Sequence, residues 1–207
     1  RLKVEQRLPA AQAFAREHKL NEMFDGDLED TGIIVLGGLY NTVSRALARL
    51  GLADAFGNAR VPVYCLNLAY PLIPEEVKAF CVGKKHVLII EEGSPEFVEQ
   101  AISTELRRAD IQTRIHGKGP LPKAGEYTGE VMLRGIANFI RDARPAGLDA
   151  DAIVAKADAL LGHKGAAATS VGDIPPRPPN FCTGCPERPV FAALKLTQRE
   201  IGRTHIS

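Results

Sequence analysis

Two cysteines in C-x-x-C spacing, Cys182 and Cys185, follow a stiff proline run in PPRPPNFCTGCPERP (175–189). Two thiolates three positions apart can chelate one centre, so this spacing is half of many zinc and iron–sulfur sites. A second C-x-x-C or Cys/His pair that would complete four ligands is absent from the 207 residues. Covalent haem attachment requires His directly after the second cysteine, where Pro186 stands, and a redox dithiol belongs to a thioredoxin-like βαβ setting. The spacing therefore leaves three readings: a shared metal or cluster site, a dithiol, or a proline-rich spacer holding two thiols. PPRPP also matches P-x-x-P, a polyproline recognition pattern that is more often only a rigid spacer.

The other chemistry-bearing residues favour structural roles. Glu91 and Glu92 end an apolar run at a position where open α/β sheets place ligands. Neighbouring carboxylates point opposite ways on a strand, however, so a helix N-terminal or interface role is expected. Gly37–Gly38 resembles a phosphate-cradling turn but lacks both the G-x-G-x-x-G and the Walker patterns, so it reads as a tight strand-to-helix turn. His18, His86, His116, His163 and His205 share no ligand spacing. Cys65 lies in an apolar strand and Cys81 beside Phe80 and Val82, where free cysteines act as small core residues.

The elements that must position these residues alternate strand and helix. TGIIVLGG (31–38), VPVYCLNL (61–68), HVLIIEEG (86–93) and TRIHG (113–117) read as strands. Helices follow at LYNTVSRALARL before Gly51, at PEEVKAFCVG with Pro74 in its first turn, and at PEFVEQAISTELRRA. Continuous apolar strands alternating with helices imply a mostly parallel sheet flanked by helices on both faces, an α/β fold. A short amphipathic helix is expected over Leu8–Leu20 and a solvated acidic connector over Met23–Asp30. Beyond the sheet, Thr128 caps a helix with an apolar stripe of Val131, Met132, Ile136, Phe139 and Ile140, and Asp149 starts another. The domain reading is 1–30 as the end of a preceding domain and connector, 31–120 as the α/β domain, and 121–162 as a helical extension. Residues 163–180 read as a Gly/Ala/Ser- and Pro-rich linker, and 181–207 as the start of a further domain with an amphipathic helix in ERPVFAALKLTQREIG.

With 26 basic and 25 acidic side chains the chain is nearly neutral, which argues against a dedicated nucleic-acid or membrane-surface binder. No apolar run approaches the roughly 20 residues of a membrane helix. Four cysteines without a secretory signal fit a reducing cytoplasm. The start RLKVEQRLPAA and the end IGRTHIS both read as cut, so a fragment is expected.

RPPNFCTGCPERPVFAALK resembles the R-P-P-x-x-C-x-G-C-P-x-R signature of the large subunit of the indolepyruvate ferredoxin oxidoreductase family, thiamine-diphosphate-dependent 2-oxoacid:ferredoxin oxidoreductases. GIIVLGGLYNTVSRALARLGL, YPLIPEEV and VLIIEEGSPEFVEQ resemble that family's middle domain, which is similar to the transketolase C-terminal domain. The resemblance covers nearly the whole chain. It implies a pyrimidine-binding domain before residues 1–20 and a diphosphate-binding domain beginning near Phe181. It also implies that Cys182 and Cys185 contribute ligands to a 4Fe-4S cluster, with Gly184 and Glu187 beside the cofactor. Many relatives carry His where this sequence has Glu187. The parent would use thiamine diphosphate and Mg2+ to decarboxylate an aryl 2-oxoacid oxidatively, yielding acyl-coenzyme A and passing electrons through clusters to ferredoxin. A smaller beta/gamma-type subunit would be its partner in an oligomer, and this segment alone would be inactive. The competing reading is a non-catalytic α/β interaction module with PPRPP as recognition segment and a zinc-binding or idle Cys182–Cys185 pair.

Overall fold

The computed structural model describes residues 1–172 and 185–202. A π-helical turn at Lys3–Arg7 leads into α1 (Leu8–Glu17) and β1 (Glu22–Phe24), followed by β2 (Thr31–Leu36) and α2 (Tyr40–Leu50). Next come β3 (Val63–Leu66), α3 (Pro74–Cys81), β4 (His86–Ile90), α4 (Phe97–Arg108) and β5 (Arg114–His116). Three helices complete the order: α5 (Gly129–Ala143), α6 (Ala150–Val171) and α7 (Arg188–Ile201).

The five strands form one sheet in the order β1-β3-β2-β4-β5, parallel except for β1, so the mostly parallel α/β fold expected from the sequence is the fold observed. β2 is buried from Thr31 to Val35 and β3 along its whole length because both faces are covered. Side chains alternate across the sheet. Ile33, Val35, Val63, Cys65, Leu88 and Ile90 share one core with α2 and α5, while Ile34, Tyr64, Leu66, Val87 and Ile89 share the other with α3 and α4. In α5 the expected stripe is buried at Met132, Ile136, Phe139 and Ile140, half-buried at Val131, and Thr128 accepts a hydrogen bond from Val131 N. Residues 121–162, read separately as a helical extension, share the core of the sheet's first face through α5 and through Ile153 and Ala157 of α6.

Three elements differ from the sequence reading. The acidic connector begins with a strand: Met23 and Phe24 pair antiparallel with Tyr64 and Val63. An edge strand this short is specified by the neighbour's free backbone groups, not by its own side chains, which are exposed. In α1 only Ala15 is buried, so its apolar stripe does not form a core face. α6 continues to Val171, through residues assigned to a linker, because the Ala-rich run there carries strong helix propensity. The chain divides into two compact units, Arg1–Ala166 and Ala167–Ser207, and the division falls within α6. Among the described residues no helix is long and apolar enough to cross a membrane.

Strand register also creates a contact that spacing did not show. His86 Nδ1 and His116 Nε2 lie 2.9 Å apart, sharing one N–H···N hydrogen bond on the face that α5 covers, where the His116 ring meets Phe139 edge-on. Burial, the neighbouring His86 and Arg114 hold His116 down to about 4, with Asp142 opposing. His86 is also lowered, by burial first and then by Arg114 and Lys85, with Asp30 opposing. A histidine depressed in the folded state binds fewer protons there than in the unfolded chain, so stability falls with decreasing pH between the unfolded value and the folded one. Folding free energy measured by urea titration is therefore expected to decline from about pH 6.5 to about pH 4. His116→Phe is expected to flatten that slope, and an unchanged slope would show that the pair does not control it.

Candidate functional site

In an open α/β sheet the ligand crevice lies outside the strands' carboxyl ends, where the chain's crossover direction reverses. Here β3 lies on one side of β2 and β4 on the other, so the reversal sits between the ends of β2 and β4. The residues meeting there are Gly37–Leu39, which form a 3-10 turn, and Glu91–Glu92.

Glu91 is buried and turns toward α4. Its carboxylate accepts hydrogen bonds from Val98 N, at 3.0 Å to each oxygen, and from Glu99 N at 3.1 Å. The first-turn amides of α4, an intrinsic anion site, are thus filled by the protein's own carboxylate. Glu92 points the other way and accepts from Tyr127 N at 2.7 Å. The expected helix N-terminal role is the one observed for Glu91. Lys118 ties the two directions together, its ammonium donating to the Glu91 carbonyl and to Tyr127 Oη (2.9 Å), and Tyr127 in turn donates to Pro122 O at 2.7 Å. The Glu99 carboxylate accepts from Lys118 N at 3.3 Å and lies against Gly117, where a Cβ would come within 1.9 Å of it. Burial pushes the Glu99 carboxyl up.

The first glycine of the pair is explained by close approach, not by left-handed backbone. A Cβ on Gly37 would sit 2.6 Å from Asn67 Oδ1, whereas one on Gly38 would meet nothing within 4 Å. Asn67 is itself held, donating to Leu20 O at 2.9 Å and Glu22 Oε2 at 3.0 Å. A further polar group lies under this edge: Tyr64 donates to Glu76 Oε2 at 2.7 Å, and Asn21 Nδ2 donates to the same oxygen at 2.9 Å. Burial and the Glu76 carboxylate raise the Tyr64 hydroxyl above its ordinary value. Sequence reasoning missed this group, whose one visible signal is a tyrosine inside an apolar strand.

The switch point thus binds its own chain. Among the described residues, no three His, Cys, Asp or Glu side chains are grouped to hold a metal ion. With its amides filled by Glu91, the start of α4 offers no open anion site at this edge. Cys65 and Cys81 are buried free thiols raised by burial, Cys81 to about 12, in keeping with core roles. Of the predicted site residues, Cys182 and Gly184 lie outside the described residues, as does PPRPP. Cys185 is a half-buried free thiol whose carbonyl accepts from Arg188 N at 3.3 Å; Glu187, exposed, is the N-cap residue of α7 without a side-chain cap bond.

Residues 21–168 match the family model for the indolepyruvate ferredoxin oxidoreductase middle domain. The chain belongs to that family. The matched segment runs from the residue before β1 into α6, so the five-stranded sheet and the Glu91–Lys118–Tyr127 network are middle-domain features, while Cys182–Cys185 lies beyond it. Indolepyruvate oxidoreductase subunit IorA of Methanothermobacter thermautotrophicus is 30% identical over 190 residues, covering 90% of this chain and 26% of that protein. The subunit of the same name from Thermococcus kodakarensis is 32% identical over 164 residues, 79% of this chain and 22% of the relative. The chain thus spans about a quarter of the length of these curated relatives. Among solved structures, a 2-oxoglutarate:ferredoxin oxidoreductase from Magnetococcus marinus aligns with TM-score 0.39 and 21% identity over 65% of this chain and 23% of that one.

Three substitutions test the carboxyl-edge contacts of this indolepyruvate ferredoxin oxidoreductase middle domain. Glu91→Ala removes three hydrogen bonds to the start of α4 and is expected to cost about 1–3 kcal/mol in urea unfolding. Gly37→Ala must displace Asn67 and is expected to cost a similar amount, about 1–3 kcal/mol. Glu92→Ala, which loses one bond from an exposed side chain, should cost less than either.

Proposed function

We propose that this chain is the middle portion of the large subunit of an enzyme that oxidatively decarboxylates aryl 2-oxoacids of the indolepyruvate type to acyl-coenzyme A, with ferredoxin as electron acceptor. The observation that carries the reading is the family match over residues 21–168. The parent reaction would depend on thiamine diphosphate with Mg2+ and on 4Fe-4S clusters, and the parent would assemble with a smaller beta/gamma-type subunit in the cytoplasm.

The chain's own part in this reading is positional. Hydrogen bonds accepted by Glu91 and Glu92 and donated by Lys118 lock together the end of β4, the start of α4 and the loop between β5 and α5. A rigid edge of this kind suits a connector that holds neighbouring cofactor-bearing domains at fixed separation. Cys182 and Cys185 would be delivered to a centre completed by residues of those domains, with Gly184 and Glu187 beside it. The 207-residue segment alone is expected to show no turnover.

The test uses the full natural protein and its partner subunit, purified without oxygen. Thiamine-dependent oxidation of indolepyruvate coupled to viologen reduction is expected, with Cys182→Ser and Cys185→Ser each lowering iron content and activity. Unchanged iron and turnover in both variants would remove the cluster assignment. Absence of any 2-oxoacid oxidation would remove the reaction itself.

A further inference from the structure

Between α2 and the first turn of α5 lies a cavity of about 170 Å³ that the reading above does not use. Arg45 and Arg49 line it from α2, one helical turn apart, together with Thr42 and Asn41. Both arginines are exposed, and neither has an ion-pair or hydrogen-bond partner among the described residues. Three other arginines of the first unit do have ion-pair partners: Arg60 with Asp27, Arg134 with Asp158 and Arg144 with Asp151. Like charges at i and i+4 oppose helix formation slightly, so an unrelieved pair is a local cost.

The α5 side of the cavity is equally open. Gly129, the first residue of α5, lines it. A Cβ added there would meet nothing within 4 Å, and its φ is not positive, so neither packing nor backbone conformation requires glycine. Its effect is to leave the space above the first turn of α5 empty. Glu130 follows it, outside the cavity lining, and is engaged in an interaction of its own.

The geometry points to a binding site for a phosphate-bearing small molecule, with its phosphate or diphosphate group held by Arg45 and Arg49. Two guanidinium forks supply more N–H donors than one carboxylate can accept and match the oxygens of a phosphate, where bidentate charge-assisted bonds form. Thr42 and Asn41 add neutral donors at the same wall. The cavity volume suits a phosphate or diphosphate group, and it falls below the roughly 300–1,000 Å³ of pockets that enclose a whole drug-sized ligand. The rest of such a ligand would extend into solvent or toward a neighbouring domain. This inference rests on these residues and not on the reaction proposed above.

Hydrogen–deuterium exchange of residues 129–133 in the full natural protein reads the site locally. Millimolar inorganic pyrophosphate is expected to slow exchange there, and Arg45→Gln/Arg49→Gln to weaken the apparent affinity by about tenfold or more. The control pair Arg107→Gln/Arg108→Gln on α4 should leave it unchanged. No protection in the wild-type protein, equal protection in the Arg45/Arg49 variant, or an equal loss in the control would each overturn the site. Protection by sulfate as strong as by pyrophosphate would overturn its assignment to phosphate ligands.

Discussion

Burial of β2 on both faces is the constraint on which the structure depends. Ile33 and Val35 point into one core and Ile34 into the other, all without solvent exposure. A strand buried this way can be relieved of its backbone polarity only by neighbours on both edges, which β3 and β4 supply in parallel register. Helices must then cover both faces, so α2 and α5 lie on one side and α3 and α4 on the other. Carboxylates, a lysine and an asparagine gather at the carboxyl edge, where the strands end and polar groups find partners.

At that edge the protein satisfies itself. An α/β switch point offers free helix amides and an open crevice, and both attract anions. Glu91 occupies the α4 amides, and Lys118 bonds to the carbonyl of the same residue. The network therefore does the mechanical work of joining strand, helix and loop. Away from this edge, Arg45 and Arg49 face a small cavity between α2 and α5.

Most of the sheet was legible because local and global preferences agree in it. β2, β3 and β4 announce themselves as β-branched apolar runs, and Gly51 ends α2 in the left-handed region at φ 79° as its position suggested. The role of Glu91 was legible too, since a carboxylate at the end of a strand and near a helix start has few other uses. β1 was not, because a three-residue exposed edge strand carries no pattern of its own. The end of α6 was not, because alanine and glycine composition suits linker and helix alike until the flanking turns are built.

The alternation of β2 to β5 with their helices and the two-faced core were determined by the sequence itself, through periodicity and residue chemistry that need no distant partner. Tertiary structure alone decided what meets across distance. The pairing of His86 with His116 follows from the β4–β5 register, thirty positions apart in the chain. Gly37 is a glycine for the sake of Asn67, just past the end of β3, and not for its own turn. Two solvated-looking arginines became walls of a cavity only when α5 packed beside α2. Such contacts carry no local signature, because each residue obeys its own element's rules and the meeting is imposed by packing.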